Sequence, residues 1–216
     1  MKYKAIIFDL DGTILNTLED LTDSLNYSLT KYNLPKRSQT EFKSFLGNGI
    51  RKLTERGCPV ETDISVIDNV YNNFKEYYIT HCSVKTHAYD GVEKLLRYLK
   101  DSGYKLAVVS NKSDNAVKIL CEKYFVDLFD IVKGEISGTP RKPSPESVYE
   151  VMEKFDCNKS EIVIVGDSEV DFNTAKNAEI DCVLVDWGFR DRDFLIQIGG
   201  QNIVSNIYEL KSFIEK

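Results

Sequence analysis

The sequence predicts an α/β protein, a doubly wound parallel sheet with an α-helical cap inserted into it. Three observations predict this. Short continuous apolar runs rich in β-branched residues recur at Ala5–Phe8, Leu106–Val109, Ile162–Val165 and Cys182–Val185, with a weaker one at Ile131–Val132. Runs apolar at every position suit strands covered on both faces, as in a parallel sheet. Apolar residues at helical spacing lie between them, and one long stretch directly after the first run is helical without any strand.

Taken in order, Ala5–Phe8 is the first strand and is followed at once by the acidic loop Asp9-Leu10-Asp11-Gly12-Thr13. Leu18, Leu21, Leu25, Leu29 and Tyr32 then mark one amphipathic helix, and Ile64, Ile67, Val70, Tyr71, Phe74 and Tyr78 mark another. Between these helices Pro35, Gly47, Gly49, Gly57 and Pro59 read as turns. Alternation resumes with Val92, Leu95, Leu96 and Leu99 as a helix closed by Asp101–Gly103. Val117, Leu120 and Cys121 form the next helical set, and Val148, Val151, Met152 and Phe155 the one after it, where Ser144-Pro145 reads as N-cap and first helical residue. Strand–helix alternation implies right-handed crossovers in one sheet. The expected organisation is a core of residues 1–15 and 86–216 and a cap of residues 16–85, hinged near 14–18 and 82–88.

Composition narrows the function. A net charge of −6 argues against a broad surface for nucleic acid or anionic lipid. No apolar stretch approaches the roughly 20 residues that span a bilayer. The five cysteines form no C-x-x-C pair and two histidines are few for a zinc site, so the expectation is a reduced, cytoplasmic protein whose cysteines pack as small hydrophobes. The first residues lack the long apolar run of a signal peptide.

Ligands of an open α/β sheet bind beyond the carboxyl ends of its strands, and polar clusters stand there. They are Asp9-Leu10-Asp11-Gly12-Thr13, Ser110-Asn111-Lys112 and Gly166-Asp167-Ser168-Glu169-Val170-Asp171, with Arg141-Lys142-Pro143 ahead of a helix. Asp9 and Asp167 at neighbouring strand ends would repel unless something positive lies between them. A hard divalent cation with oxygen ligands fills that role, Mg²⁺ where phosphate is also handled. Lys142, the Ser110 hydroxyl and loop N–H groups would cradle a phosphoryl group, and a carboxylate nucleophile with a second carboxyl two residues on could cleave a phosphoester in two steps. Each cluster also has a plain structural reading. Asp11-Gly12 could be a hairpin turn, Ser113 a helix cap and Ser168 with Asp171 a capping pair. Their common order is what the plain readings leave unexplained.

Asp9-Leu10-Asp11-Gly12-Thr13, Ser110, Lys142 and Gly166-Asp167-x-x-x-Asp171 resemble, in order, the four motifs of the haloacid dehalogenase superfamily. The helical insert resembles the cap of its phosphoglycolate phosphatase and β-phosphoglucomutase branch, and Asp186-Trp187-Gly188-Phe189-Arg190 looks most like the phosphoglycolate phosphatases. The resemblance implies that Asp9 attacks phosphorus and becomes an aspartyl phosphate. It implies that Asp11 serves as acid for the leaving group and then as base for water, without its side chain being a metal ligand. Mg²⁺ would be bound by Asp9, the backbone carbonyl of Leu10 and Asp167, while Asp171 orders metal-bound water or Lys142 from behind. Ser110 and Lys142 would hold phosphoryl oxygens, helped by the backbone near Asn111.

The expected function is a Mg²⁺-dependent phosphatase of a small phosphorylated metabolite such as phosphoglycolate, active as a monomer or homodimer. The cap is expected to close over the site and set the substrate. Its candidates are Asn48, in a glycine-flanked loop, and Arg51, which could pair with a substrate carboxylate. Lys112 and Arg141 also border the expected pocket, with a plain alternative reading as solvated side chains. Two alternatives use similar residues. A phosphosugar mutase would return the phosphoryl group to a sugar. A phospho-accepting receiver domain needs an Asp at the end of the third strand, and Ile131–Val132 is followed instead by Lys133-Gly134-Glu135.

Overall fold

The computed structural model of the chain describes residues 2–47 and 49–216. Two compact units emerge, one of residues up to Asn16 together with Ala88–Lys216, the other of Thr17–His87. The bounds fall one or two residues from those expected.

In the first unit the apolar runs become strands β1 (Ala5–Phe8), β4 (Lys105–Ser113), β5 (Ile131–Glu135), β6 (Ile162–Gly166) and β7 (Asp181–Val185). With β8 (Ile203–Val204) they form a parallel sheet in the order β5-β4-β1-β6-β7-β8. The two-residue strands β2 (Leu15–Asn16) and β3 (His87–Ala88) are separate from it. β1 is fully buried, and Phe8 is aligned with Val108 on one side and Val165 on the other. Because side chains alternate along a strand, Ala5 and Ile7 of β1 share one face with Ala107, Val109, Ile162 and Ile164. That face packs against Val148, Val151 and Phe155 of α7 (Glu146–Phe155) and Ala175 and Ala178 of α8 (Glu169–Ala178). Helix α5 (Val92–Asp101) buries Val92, Leu95, Leu96 and Leu99, the four residues whose spacing predicts it.

Several details depart from the sequence expectations. β4 runs through Ser110-Asn111-Lys112 to Ser113, four residues past its apolar run, with a register shift against β5 between Val109 and Ser113. Helix α7 begins at Glu146 with Pro145 at the cap, one residue later than expected, and the Ser144 hydroxyl pairs with Glu146 instead of capping. After β7 come helices α9 (Arg192–Gln197) and α10 (Ile207–Ile214), which the periodicity alone did not single out.

The chain is wound from β1 to β4 and β5 on one side, then returns to β6, β7 and β8 on the other. All strands being parallel, their carboxyl ends share one edge, and β1 lies at the switch point where a crevice opens. Asp9, Ser110 and Asp167 all belong to that edge.

The second unit is four helices, α1 (Leu18–Lys31), α2 (Gln39–Phe45), α3 (Gly49–Gly57) and α4 (Ile64–His81). The stretch read as turns therefore holds two further helices. Its signal was present: Ser38 and Glu41 close a capping box at the start of α2, the Ser38 Oγ accepting from the Glu41 N–H and the Glu41 carboxylate accepting from the Ser38 N–H at 2.9 Å. Helices α1 and α4 pack along each other, burying Leu21, Leu25 and Leu29 with Val70, Phe74 and Tyr78. Asp20, buried in the first turn of α1, accepts the backbone N–H groups of Lys85 at 2.9 Å and Thr86 at 2.8 Å and so fastens the segment after α4 to α1.

Hydrogen bonds to a charged acceptor contribute about 1.5–3 kcal/mol each. Asp20→Ala is therefore expected to lower stability by about 2–4 kcal/mol in a urea unfolding curve. A loss under about 0.5 kcal/mol would show that this fastening contributes little.

Candidate active site

The first strand delivers Asp9 directly to the sheet edge, its N–H held by the Val165 carbonyl of β6 at 2.9 Å. Asp167 follows β6 at the same edge, and Asp171 stands in the first turn of α8. Oxygens of Asp9, Asp167 and Asp171 all lie within 4.8 Å of one another, and all three residues are buried.

A single ammonium enters this acidic cluster. Lys142 Nζ donates to Asp9 Oδ1 at 2.8 Å and to Asp171 Oδ1 at 2.6 Å, with its side chain only 3% exposed. Asp171 has its other oxygen taken too, since Ser168 Oγ donates to Oδ2 at 2.7 Å. Its place in a capping pair gives way to these two bonds, for Ser168 makes no side-chain cap bond.

Three carboxylates against one ammonium leave excess negative charge in a poorly solvated place. Burial pushes the Asp9 carboxyl up to about 6; Lys142 opposes the rise, and Asp171 and Asp11 add to it. Asp167 is driven well above the usual carboxylate range by burial, then by Asp171 and Asp9, against the pull of the Phe189 N–H and Arg190. Burial alone would lower Lys142, but Asp171 and Asp9 more than offset it and keep it charged. Such a cluster of hard oxygen donors with unbalanced charge fits a divalent cation between Asp9 and Asp167.

The Leu10 carbonyl does not fit the ligand role expected of it. It accepts from Ile14 N at 3.1 Å and Leu15 N at 3.0 Å, with Thr13 N at 3.4 Å, and is thereby turned into the loop after β1. A tight turn leading directly into β2 needs that acceptor, and the linear sequence gives no sign of it.

Ser110 is buried at the same edge, its Oγ accepting the Lys112 N–H at 3.3 Å. The Asn111 side chain donates to the Lys142 carbonyl at 2.8 Å, tying the β4 loop to the loop that carries the lysine. Lys112 corrects its plain alternative reading. It is not solvated but buried, and its Nζ donates to both oxygens of Asp11 at 2.7 and 2.9 Å. The extension of β4 past its apolar run is what carries Lys112 inward. Arg141 stays partly exposed beside Glu135.

Asp167 has two further partners, a motif residue to which the sequence assigned no role and a backbone group. Thr13 Oγ1 donates to Asp167 Oδ1 at 3.3 Å, and the backbone N–H of Phe189, in the loop after β7, donates to Asp167 Oδ2 at 2.7 Å. A backbone donor carries no side-chain signal. Of the cap candidates, Asn48 lies outside the described residues. Arg51 pairs with Glu55 at 2.8 Å and with Asp68 in its own helical unit, its guanidinium over the Tyr71 ring. All five cysteines are free thiols, and Cys58, Cys82 and Cys121 are buried. Among the described residues no helix is long and apolar enough to cross a membrane.

Comparison with known proteins shows what the chain is similar to. A family profile described as haloacid dehalogenase-like hydrolase matches residues 6–185. A phosphoglycolate phosphatase of Mesorhizobium japonicum is 32% identical over 196 residues, 89% of this chain and 86% of its own length. One from Aquifex aeolicus is 30% identical over 187 residues, covering 86% of each chain. Among solved structures, a candidate phosphoglycolate phosphatase of Lactobacillus delbrueckii subsp. bulgaricus superposes with a TM-score of 0.94 at 36% identity, over 99% of both chains.

The raised Asp9 carboxyl makes a signed prediction. A proton held more tightly in the folded than in the unfolded chain stabilises the fold below the unfolded value, and that contribution is lost as pH rises through the folded one. With chelator present, Asp9→Asn should therefore become more stable relative to the parent as pH rises from about 4 through about 6, by up to about 3 kcal/mol. Denaturant unfolding at the two ends of that range checks it, and a pH-independent difference would contradict the charge imbalance.

Proposed function

The chain belongs to the haloacid dehalogenase-like hydrolases, and on that footing we propose that it is a Mg²⁺-dependent phosphatase of a small phosphorylated metabolite, phosphoglycolate being the first candidate. The observation that carries this reading is the buried cluster of Asp9, Asp167 and Asp171 around Lys142, with Asp11 at the same strand end. The relatives named phosphoglycolate phosphatase support the choice of substrate.

Asp9 and Asp167 would hold the cation, which when bound neutralises their charge and that of the phosphoryl oxygens. Lys142 keeps one oxygen of Asp9 engaged, and thereby fixes the rotation of the carboxylate about its own bond. An Asp9 oxygen attacks phosphorus while the bond to the ester oxygen breaks, and the phosphoryl group passes to Asp9. Asp11 delivers a proton to the departing alkoxide. It then takes one from the water that cleaves the acyl phosphate, returning Asp9 and releasing inorganic phosphate. Ser110 and Lys142 offer donors for the phosphoryl oxygens. The Asn111 side chain works at one remove, since it holds the Lys142 loop in place. Asp171 acts through Lys142, whose ammonium it anchors.

The test is release of phosphate from phosphoglycolate and from an aryl phosphate, with Mg²⁺ or with excess chelator. Asp9→Asn and chelator should each remove activity on both substrates. Asp11→Asn should slow hydrolysis by about 10²–10⁴-fold on the alkyl ester and by less on the aryl ester, whose leaving group needs no proton. Undiminished turnover by Asp9→Asn would defeat the mechanism.

A further inference from the structure

The loop Trp187-Gly188-Phe189-Arg190 lies outside the four motif clusters, yet it closes directly over Asp167. Its Phe189 N–H holds Asp167 Oδ2 at 2.7 Å. At Gly188 there is no room for a side chain: a Cβ would stand 2.4 Å from the Asp167 Cβ and 2.4 Å from the Gly12 carbonyl oxygen. The loop is fastened at both ends. Trp187 Nε1 donates to the Thr13 carbonyl at 3.1 Å, joining it to the loop that follows Asp9. The Arg190 guanidinium pairs with both oxygens of Glu169 at 3.0 and 3.1 Å, joining it to the start of α8.

We infer that this loop is a positioning element for the divalent cation, holding the Asp167 carboxylate at one rotation so that an oxygen faces Asp9. The inference rests on the proposed cation site and adds to it a set of residues that touch neither cation nor substrate. A carboxylate whose oxygen is held by a rigid backbone donor loses little freedom on binding an ion. Without the donor it must be ordered by the ion itself, and affinity falls. Burial also makes an unheld Asp167 expensive to keep charged.

Arg190 separates positioning from simple electrostatics by sign. A cation near the site repels Mg²⁺, so its removal alone would tighten binding. If Arg190 serves to anchor the loop, its removal loosens binding instead.

Trp187 is the chain's one tryptophan and its indole is bonded to the loop that follows Asp9, so its emission serves as a second readout of ion binding. The experiment titrates Mg²⁺ into the full-length protein by calorimetry and by Trp187 emission, in the parent, Asp167→Asn, Arg190→Gln and Gly188→Ala. Thermal unfolding of each variant confirms that it is folded. Arg190→Gln is expected to weaken Mg²⁺ binding about 10–100-fold at unchanged fold, in the range seen when partners behind a metal ligand are removed. Gly188→Ala is expected to weaken it more than 10-fold. Should Gly188→Ala fail to fold, Arg190→Gln decides alone. A parent that binds Mg²⁺ while Arg190→Gln binds as tightly or more tightly overturns the positioning role and leaves the cation site standing. A parent that binds no better than Asp167→Asn overturns both.

Discussion

Burying Asp9, Asp167 and Asp171 together around one ammonium is unfavourable in an isolated protein, and much of the architecture can be read as the means of holding them there. Lys142 bonds Asp9 and Asp171, Ser168 takes the other oxygen of Asp171, and Thr13 and the Phe189 N–H hold Asp167. What remains is negative charge on Asp9 and Asp167 with too little to balance it. That imbalance raises both carboxyls and makes the site a receptor for a small, hard cation. A fold arranged for stability alone would not place these groups so close. Here a deep, continuous sheet core holds them in spite of their repulsion.

The scaffold that tolerates this is the parallel sheet. β1 is buried at every position and hydrogen-bonded on both sides, so the residue after it has almost no backbone freedom. β6 holds the same status beside it. Rigid strands that end side by side explain why Asp9 and Asp167 meet without any disulfide or long-range clamp. The loops then refine the geometry: Asn111 ties β4 to the Lys142 loop, and Trp187 and Phe189 tie β7 to both acidic loops. Five separate segments thus converge on one edge, linked by side-chain ion pairs and by bonds to backbone atoms.

Lys112 shows how the acid–base residue is built into the same network. A lysine directly after a strand would ordinarily reach solvent along its flexible stem. Here β4 continues past its apolar run, and the side chain turns inward to grip both oxygens of Asp11. Asp11 is thereby held in one orientation by a charge-assisted pair. The second acidic residue of the motif, like the first, is restrained by a lysine from another segment.

The strand–helix alternation, the helical insertion after β1 and the placing of Asp9 and Asp167 at strand ends are legible in the linear chain. Continuous apolar runs and helical spacing are local properties, and a parallel sheet puts every strand's carboxyl end on one edge whatever the loops do. The motif residues were legible for the same reason. Helices α2 and α3 were hidden by the glycines and two prolines that suggested turns, although Ser38 and Glu41 carried a capping signal. The burial of Lys112, the engagement of the Leu10 carbonyl within its own turn and the Phe189 N–H on Asp167 emerge once the chain has folded. Those are bonds of backbone groups, or of a side chain whose direction depends on how far a strand continues, and a peptide N–H looks the same at every position until the chain has folded around it.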